Sequence, residues 1–215
     1  MIITAYDVKV LSQISYADLG FNTDADYEAF IEADIIPVAV KIIEDYCSVP
    51  SGFFEAGGAI ITDEYFDGDG TGSLWLKYRP IVSVIALAYN EKGLTEAPSW
   101  VSLSEGPGVN KHYLVYAERG LILIYNNVPP EGYKNIKITY KAGYSSTPLS
   151  VVEIAKQLSA NMLRGTLKRK ITPQEVSQIA LQGGDITSIF AEEVKLTSHM
   201  KQLLAIYRLP TVTAA

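Results

Sequence analysis

The hydrophobic period changes twice along this chain, and that constrains its fold more than any other feature. From Asn22 to Tyr46, apolar residues recur at three- and four-residue steps: Tyr27, Ile31, Ile35, Val38, Ile42 and Tyr46. That spacing predicts a long helix with one buried face, opened by Thr23 or Asp24 as N-cap. Between Ala59 and Lys141 the helical period disappears. Short β-type runs take its place: Ile60–Phe66, Ser73–Tyr78, Ile81–Tyr89, Trp100–Leu103, Tyr113–Ala117, Leu121–Tyr125 and Asn135–Tyr140. After Pro148 the helical period returns, with Val151, Ile154, Ala155, Leu158 and Met162 on one face and Ser150 and Glu153 spaced as a capping box. Thr172-Pro173-Gln174-Glu175 opens a further helix that Gly183-Gly184 would stop, and a last one is expected from about Thr197 to Arg208, carrying Met200, Leu203, Leu204 and Tyr207.

The expected fold class is therefore α+β. An α-helical bundle, made of the N-terminal helix and the C-terminal helices, carries an inserted antiparallel β module. The boundaries follow: residues 1–48 with 148–209 as a discontinuous helical core, 49–147 as the β domain, and 210–215 as a mobile tail. Within the β module, Asp67-Gly68-Asp69-Gly70-Thr71-Gly72, Asn90-Glu91-Lys92-Gly93, Glu118-Arg119-Gly120 and Pro129-Pro130-Glu131-Gly132 read as hairpin corners. Register would then be set locally. Pro37 lies inside the first long helix, where its ring and missing N–H predict a bend or break between Ala33 and Pro37.

Charge is unevenly placed. Residues 1–70 hold 14 acidic and 2 basic side chains, whereas residues 71–150 hold 5 acidic and 8 basic, as do residues 151–215. An acidic front repels phosphate, which argues against specific duplex binding. The opening Met1-Ile2-Ile3-Thr4-Ala5-Tyr6-Asp7 lacks a basic n-region and a continuous apolar run, and no stretch has the length of a membrane span, so the expectation is a soluble protein made in the cytoplasm. With 48% hydrophobic residues the chain can bury a substantial core.

Chemistry-bearing patterns are scarce. There is no GxxxxGK[ST], no GxGxxG opening a helix, no GxSxG and no HExxH. His112 and His199 are the only histidines and Cys47 the only cysteine, read as a small apolar residue near a helix end. The Asp67 loop puts Gly72 where an EF-hand loop needs glycine but Tyr78 where it needs glutamate, so a glycine-rich corner is the simpler reading. Neighbouring carboxylates such as Glu44 and Asp45 point apart on a helix. No catalytic, metal or cofactor site is assigned. Phe30, Ile36, Val40 and Ile43 are apolar surplus beside the main helical stripe and are expected at a subunit interface. The basic run Arg164-Gly165-Thr166-Leu167-Lys168-Arg169-Lys170 offers Arg164, Lys168, Arg169 and Lys170 either to the helix dipole or to an acidic partner.

Four segments, in order, resemble the head-to-tail connector, or adaptor, family of tailed bacteriophages, in the form with a β insertion between its helices. They are the helix Ala25–Tyr46; the runs Glu64-Tyr65-Phe66-Asp67-Gly68-Asp69-Gly70, Leu74-Trp75-Leu76 and Arg79-Pro80-Ile81-Val82-Ser83-Val84; the run Ile136–Tyr144 leading to Pro148 and its helix; and Met200–Arg208. The resemblance implies a non-enzymatic virion protein of the neck. Identical copies, twelve in the virion, would form a ring beneath the portal, join the packaged capsid to the tail and continue the DNA channel. The implied partners are other copies, the portal protein, a tail or stopper protein and, without specificity, the passing DNA; no membrane is involved. Portal contact would fall at Leu209, Pro210, Thr211 and Val212. An alternative from another class is a glycan-binding β module with Trp75, Trp100 and tyrosines as its platform. A third is a small hydrolase using the Asp67 loop and a metal.

Overall fold

A computed structural model describes residues 2–92, 99–169 and 195–209. The chain divides into two compact units, Met1–Ser51 with Thr147–Ala215, and Gly52–Ser146. The first is an α-helical bundle and the second is the antiparallel β module inserted into it.

In the helical unit, α1 (Ala5–Ser12) opens on a reciprocal cap. Thr4 Oγ accepts from the Asp7 N–H while the Asp7 carboxylate accepts from the Thr4 N–H at 3.1 Å. Then follow α2 (Asp24–Phe30), a single π turn (Ile31–Ile35) and α3 (Ile36–Cys47), with Thr23 as N-cap of the whole rod. The rod does not end at Pro37. The Ile36 N–H reaches back five residues to the Ile31 carbonyl, so one extra residue is taken up in the turn that precedes the proline ring.

That extra residue resets the buried face. An α-helix turns about 100° per residue, so each four-residue step overshoots by about 40°. Five such steps in an unbroken helix would carry a stripe about 200° round the axis, and the π turn takes back about half of that. The core stripe accordingly runs Tyr27, Ile31, Ile35, Ala39, Ile43 and Cys47 in steps of four, all buried. The expected continuation through Val38, Ile42 and Tyr46 is only half-buried, because it presumes a three-residue step that the π turn makes unnecessary.

The returning helix, α4 (Leu149–Arg169), buries Val151, Ile154, Ala155, Leu158 and Met162 as the periodicity predicts. Its start differs. The Val151 and Val152 N–H groups bond to the Pro148 carbonyl, and the Ser150 hydroxyl lies 2.8 Å from the Tyr207 hydroxyl, so Ser150 is inside the helix and is not its cap. The last helix, α5 (Ser198–Leu204), is capped by Thr197 and runs into a one-turn 3-10 segment, Ala205–Tyr207. The helix expected at Thr172–Gly183 lies outside the described residues.

The β module has seven strands: β1 (Ala59–Gly68), β2 (Ser73–Trp75), β3 (Ile81–Asn90), β4 (Trp100–Leu103), β5 (Tyr113–Tyr116), β6 (Leu121–Ile124) and β7 (Gly132–Ala142). They form two antiparallel sheets, one in the order β1-β7-β3-β4 and one in the order β2-β6-β5. Two connections, β3 to β4 and β5 to β6, join paired neighbours as hairpins do. The corners at Asp67–Gly72 and Pro129–Gly132 do not. Each carries the chain from one sheet to the other, so β7 pairs with β1 across more than sixty intervening residues and register is not set locally there.

Candidate assembly surfaces

The two sheet-crossing corners are tied to each other through Asn135 and Asp67. Asn135, 2% exposed, accepts from the Gly68 N–H at 2.7 Å and donates to the Pro130 carbonyl at 2.7 Å, while Asp67 Oδ1 accepts from the Lys134 N–H at 2.7 Å. Gly68 is required at the crossing, since a Cβ there would run into the Pro130 carbonyl and the Asn135 amide. Asp69 turns back on Thr71, and the Thr71 N–H and hydroxyl hold its carboxyl below the usual carboxylate range. The carboxylates of this loop thus fasten a corner. Among the described residues no group of three metal-ligating side chains converges anywhere.

The residues expected at an interface fall in different places. Phe30, Ile36 and Ile43 are buried in the helical unit, and Val40 is half-buried. The first three therefore offer no surface to a neighbour: the π turn rotates Ile36 and Ile43 into the core. Arg164 is exposed, but its guanidinium donates to the Leu11 carbonyl at 2.7 Å and to Asn161 Oδ1 at 3.3 Å. It closes the C-terminal end of α1, where a cation also meets the negative end of the helix dipole. Lys168 is exposed one turn further along α4. The side chain of Arg169, and Lys170 altogether, lie outside the described residues.

Leu209 is buried, and its N–H donates to the Cys47 carbonyl at 3.0 Å. It is packed into the helical unit; Pro210, Thr211 and Val212, the rest of the expected portal contact, lie outside the described residues. Beside it, Arg208 lies 5.5 Å from the centre of the Tyr46 ring, and burial pushes the Cys47 thiol up to about 11. His112 accepts from the Ser104 N–H in the β module, while His199 is exposed on α5 in the other unit.

Two surfaces stand out, one on each unit. On the helical unit, the Lys9 ammonium bonds to both Asp24 at 2.6 Å and Glu28 at 2.8 Å, which holds its pKa above the ordinary lysine value. Asp18, Asp26 and Glu32 are exposed, with no ion-pair partner among the described residues. On the β module, the outer face of the three-stranded sheet is apolar. Trp75, Leu121 and Tyr116 stand opposite one another in one cross-strand row, and Ser73, Leu123 and Leu114 in the next. The sequence carries its signal in Leu121-Ile122-Leu123-Ile124, apolar at every position, where a strand with one wet face would alternate.

Trp75 and Trp100 belong to different sheets. Trp100 instead neighbours Tyr65, with ring centres 6.2 Å apart, and has the Lys137 ammonium 5.1 Å from its ring centre.

No protein-family model matches the chain, and no curated protein matches it. Solved structures do. The chain is similar to one in the "Neck of empty GTA particle computed with C6 symmetry", at 11% identity and a TM-score of 0.47, over 100% of this chain and 93% of that one. It is also similar to one in the "Neck of native GTA particle computed with C12 symmetry", at 12% identity and a TM-score of 0.40, over 98% of this chain and 93% of that one.

Proposed function

We propose that this chain is a non-enzymatic structural protein of a phage-like neck, a head-to-tail adaptor that works as one copy in a ring beneath the portal. The observation that carries the reading is the insertion itself. The four sequence runs that resemble the connector family fall, in order, on α2 and α3, on β1 to the start of β3, on β7 leading into α4, and on α5 with its following turn. These are the two halves of the helical bundle and the strands at which the β module leaves and rejoins it. A subunit that must meet neighbours on two sides needs two different exposed surfaces, and the acidic helical surface and the apolar sheet face supply them. A net charge of -6 keeps passing DNA loosely held. The partners under this reading are other copies, the portal protein and a tail or stopper protein, and the site of action is the virion neck.

Negative-stain imaging of the purified protein, alone and mixed with the portal protein of the same genome, tests the reading. A ring, or a new layer on the portal, is the expected result. A particle that forms no ring and leaves the portal bare refutes it.

A further inference from the structure

The outer face of the β2-β6-β5 sheet leaves apolar side chains open to solvent, and cations border it. Trp75 is 58% exposed and Tyr116 43%, with Leu121 between them. Lys77, Arg79 and Arg119 follow closely in the chain on either side of this row and are all exposed. Arg79 packs beside Gly120, and Lys77 lies 4.9 Å from the centre of the Tyr78 ring. Glu118 is the neighbouring carboxylate, yet among the described residues no carboxylate lies within ion-pair distance of any of the three cations. An apolar centre with an unpaired cationic border selects an acidic partner that brings its own exposed apolar side chains.

The helical unit carries such a surface. Asp18, Asp26 and Glu32 have no ion-pair partner among the described residues, Asp24 and Glu28 share the single Lys9 ammonium, and Val10 and Tyr16 are exposed beside them in the chain. We infer that the outer sheet face of one copy, with Lys77, Arg79 and Arg119, docks on the acidic surface of the helical unit of a second copy. The two patches differ, so the contact is heterologous: each docked copy keeps one patch of each kind free, and the contact repeats from copy to copy. This inference rests on the adaptor reading for its choice of a second copy as occupant, and it names the surfaces through which that copy binds.

A complementation experiment on the full-length protein tests it. One variant, Trp75→Ser with Arg119→Glu, removes the sheet face; the other, Asp18→Lys with Asp26→Lys, removes the acidic face. All substituted side chains are exposed, and circular dichroism checks that both variants fold. Lys77→Glu with Arg119→Glu replaces the first variant if loss of Trp75 disturbs packing. Sedimentation over a concentration series should show wild type assembling, less so at high salt, and each variant alone weakened by about tenfold or more. The mixture should form a heterodimer and stop there, because each variant retains the one face that the other lacks. Wild-type assembly that survives both variants, or a mixture that forms no heterodimer, overturns the inference and leaves the ring to other surfaces. A wild-type protein that stays monomeric throughout also overturns it, and the portal-binding result then decides the adaptor reading separately.

Discussion

Replacing Asn135 with alanine removes the side chain that fastens both sheet-crossing corners of the β module. The Gly68 N–H, buried, loses its acceptor, and the Pro130 carbonyl loses its donor. A buried polar group left without a partner costs about 1–3 kcal/mol. The carbonyl is only partly buried and recovers some hydration, so the two losses together come to about 3 kcal/mol. Both tryptophans, Trp75 and Trp100, lie in the β module, so tryptophan fluorescence reports its unfolding specifically. With a urea slope of about 1.5 kcal/mol/M for a module of this size, the midpoint should fall by about 2 M. Asn126→Ala is the matched comparison. Its amide donates to the Lys111 carbonyl at 2.6 Å in a water-accessible position, so water replaces the lost bond and the cost stays below about 1 kcal/mol. An Asn135→Ala midpoint no lower than that of Asn126→Ala would show that the corners hold without the bridge, and the account given for them would be wrong.

Three further outcomes follow from the same kind of argument. Thr4→Ala removes one half of the reciprocal cap on α1 and should cost about 1 kcal/mol, read from urea unfolding by far-ultraviolet circular dichroism, with the tryptophan signal unchanged. Burial, and then the Glu105 charge, push the Tyr113 phenol up to about 12, against about 10 in the unfolded chain. The folded state thus holds this proton longer than the unfolded state does: its contribution is complete below about pH 10 and is lost as pH rises toward 12, so Tyr113→Phe should flatten the fall of the urea midpoint over that window. Cys47 is buried with its thiol pushed up to about 11, first by desolvation, so the native protein should not react with a thiol reagent near neutral pH and should titrate one thiol per chain once denatured; labelling of the native protein at the denatured rate would contradict the burial.

What could be read from the sequence, and what could not, follows from the range of each interaction. Strand positions were legible because alternation and turn residues are local: Ile81–Tyr89 and Trp100–Leu103 differ from the observed strands by a residue at most. Strand partners were not. The same glycine-rich corners serve a hairpin or a crossing between sheets, and the choice at Asp67–Gly72 depends on Asn135, a contact made from far along the chain. Helix α1 went unread, although Thr4 and Asp7 stand at capping spacing, because its eight residues give too little apolar periodicity.

Ile36 and Ile43 are buried for a physical reason that bears on function. Ile36 and Ile43 look like surplus only if the helix keeps a three-residue step past Ile35, and the π turn removes that step. On the outer face of the three-stranded sheet, by contrast, Trp75 and Tyr116 stay exposed, with Leu121 and Leu123 half-buried beside them. A two-sided apolar strand was visible in the sequence as Leu121-Ile122-Leu123-Ile124, but such a run also describes a strand covered on both faces by its own chain. Only the pairing of Trp75 with Leu121 and of Leu121 with Tyr116 separates the two cases. It puts Ile122 and Ile124 in the chain's own core, and Leu121 and Leu123 on the opposite face, half-buried beside the exposed Trp75 and Tyr116.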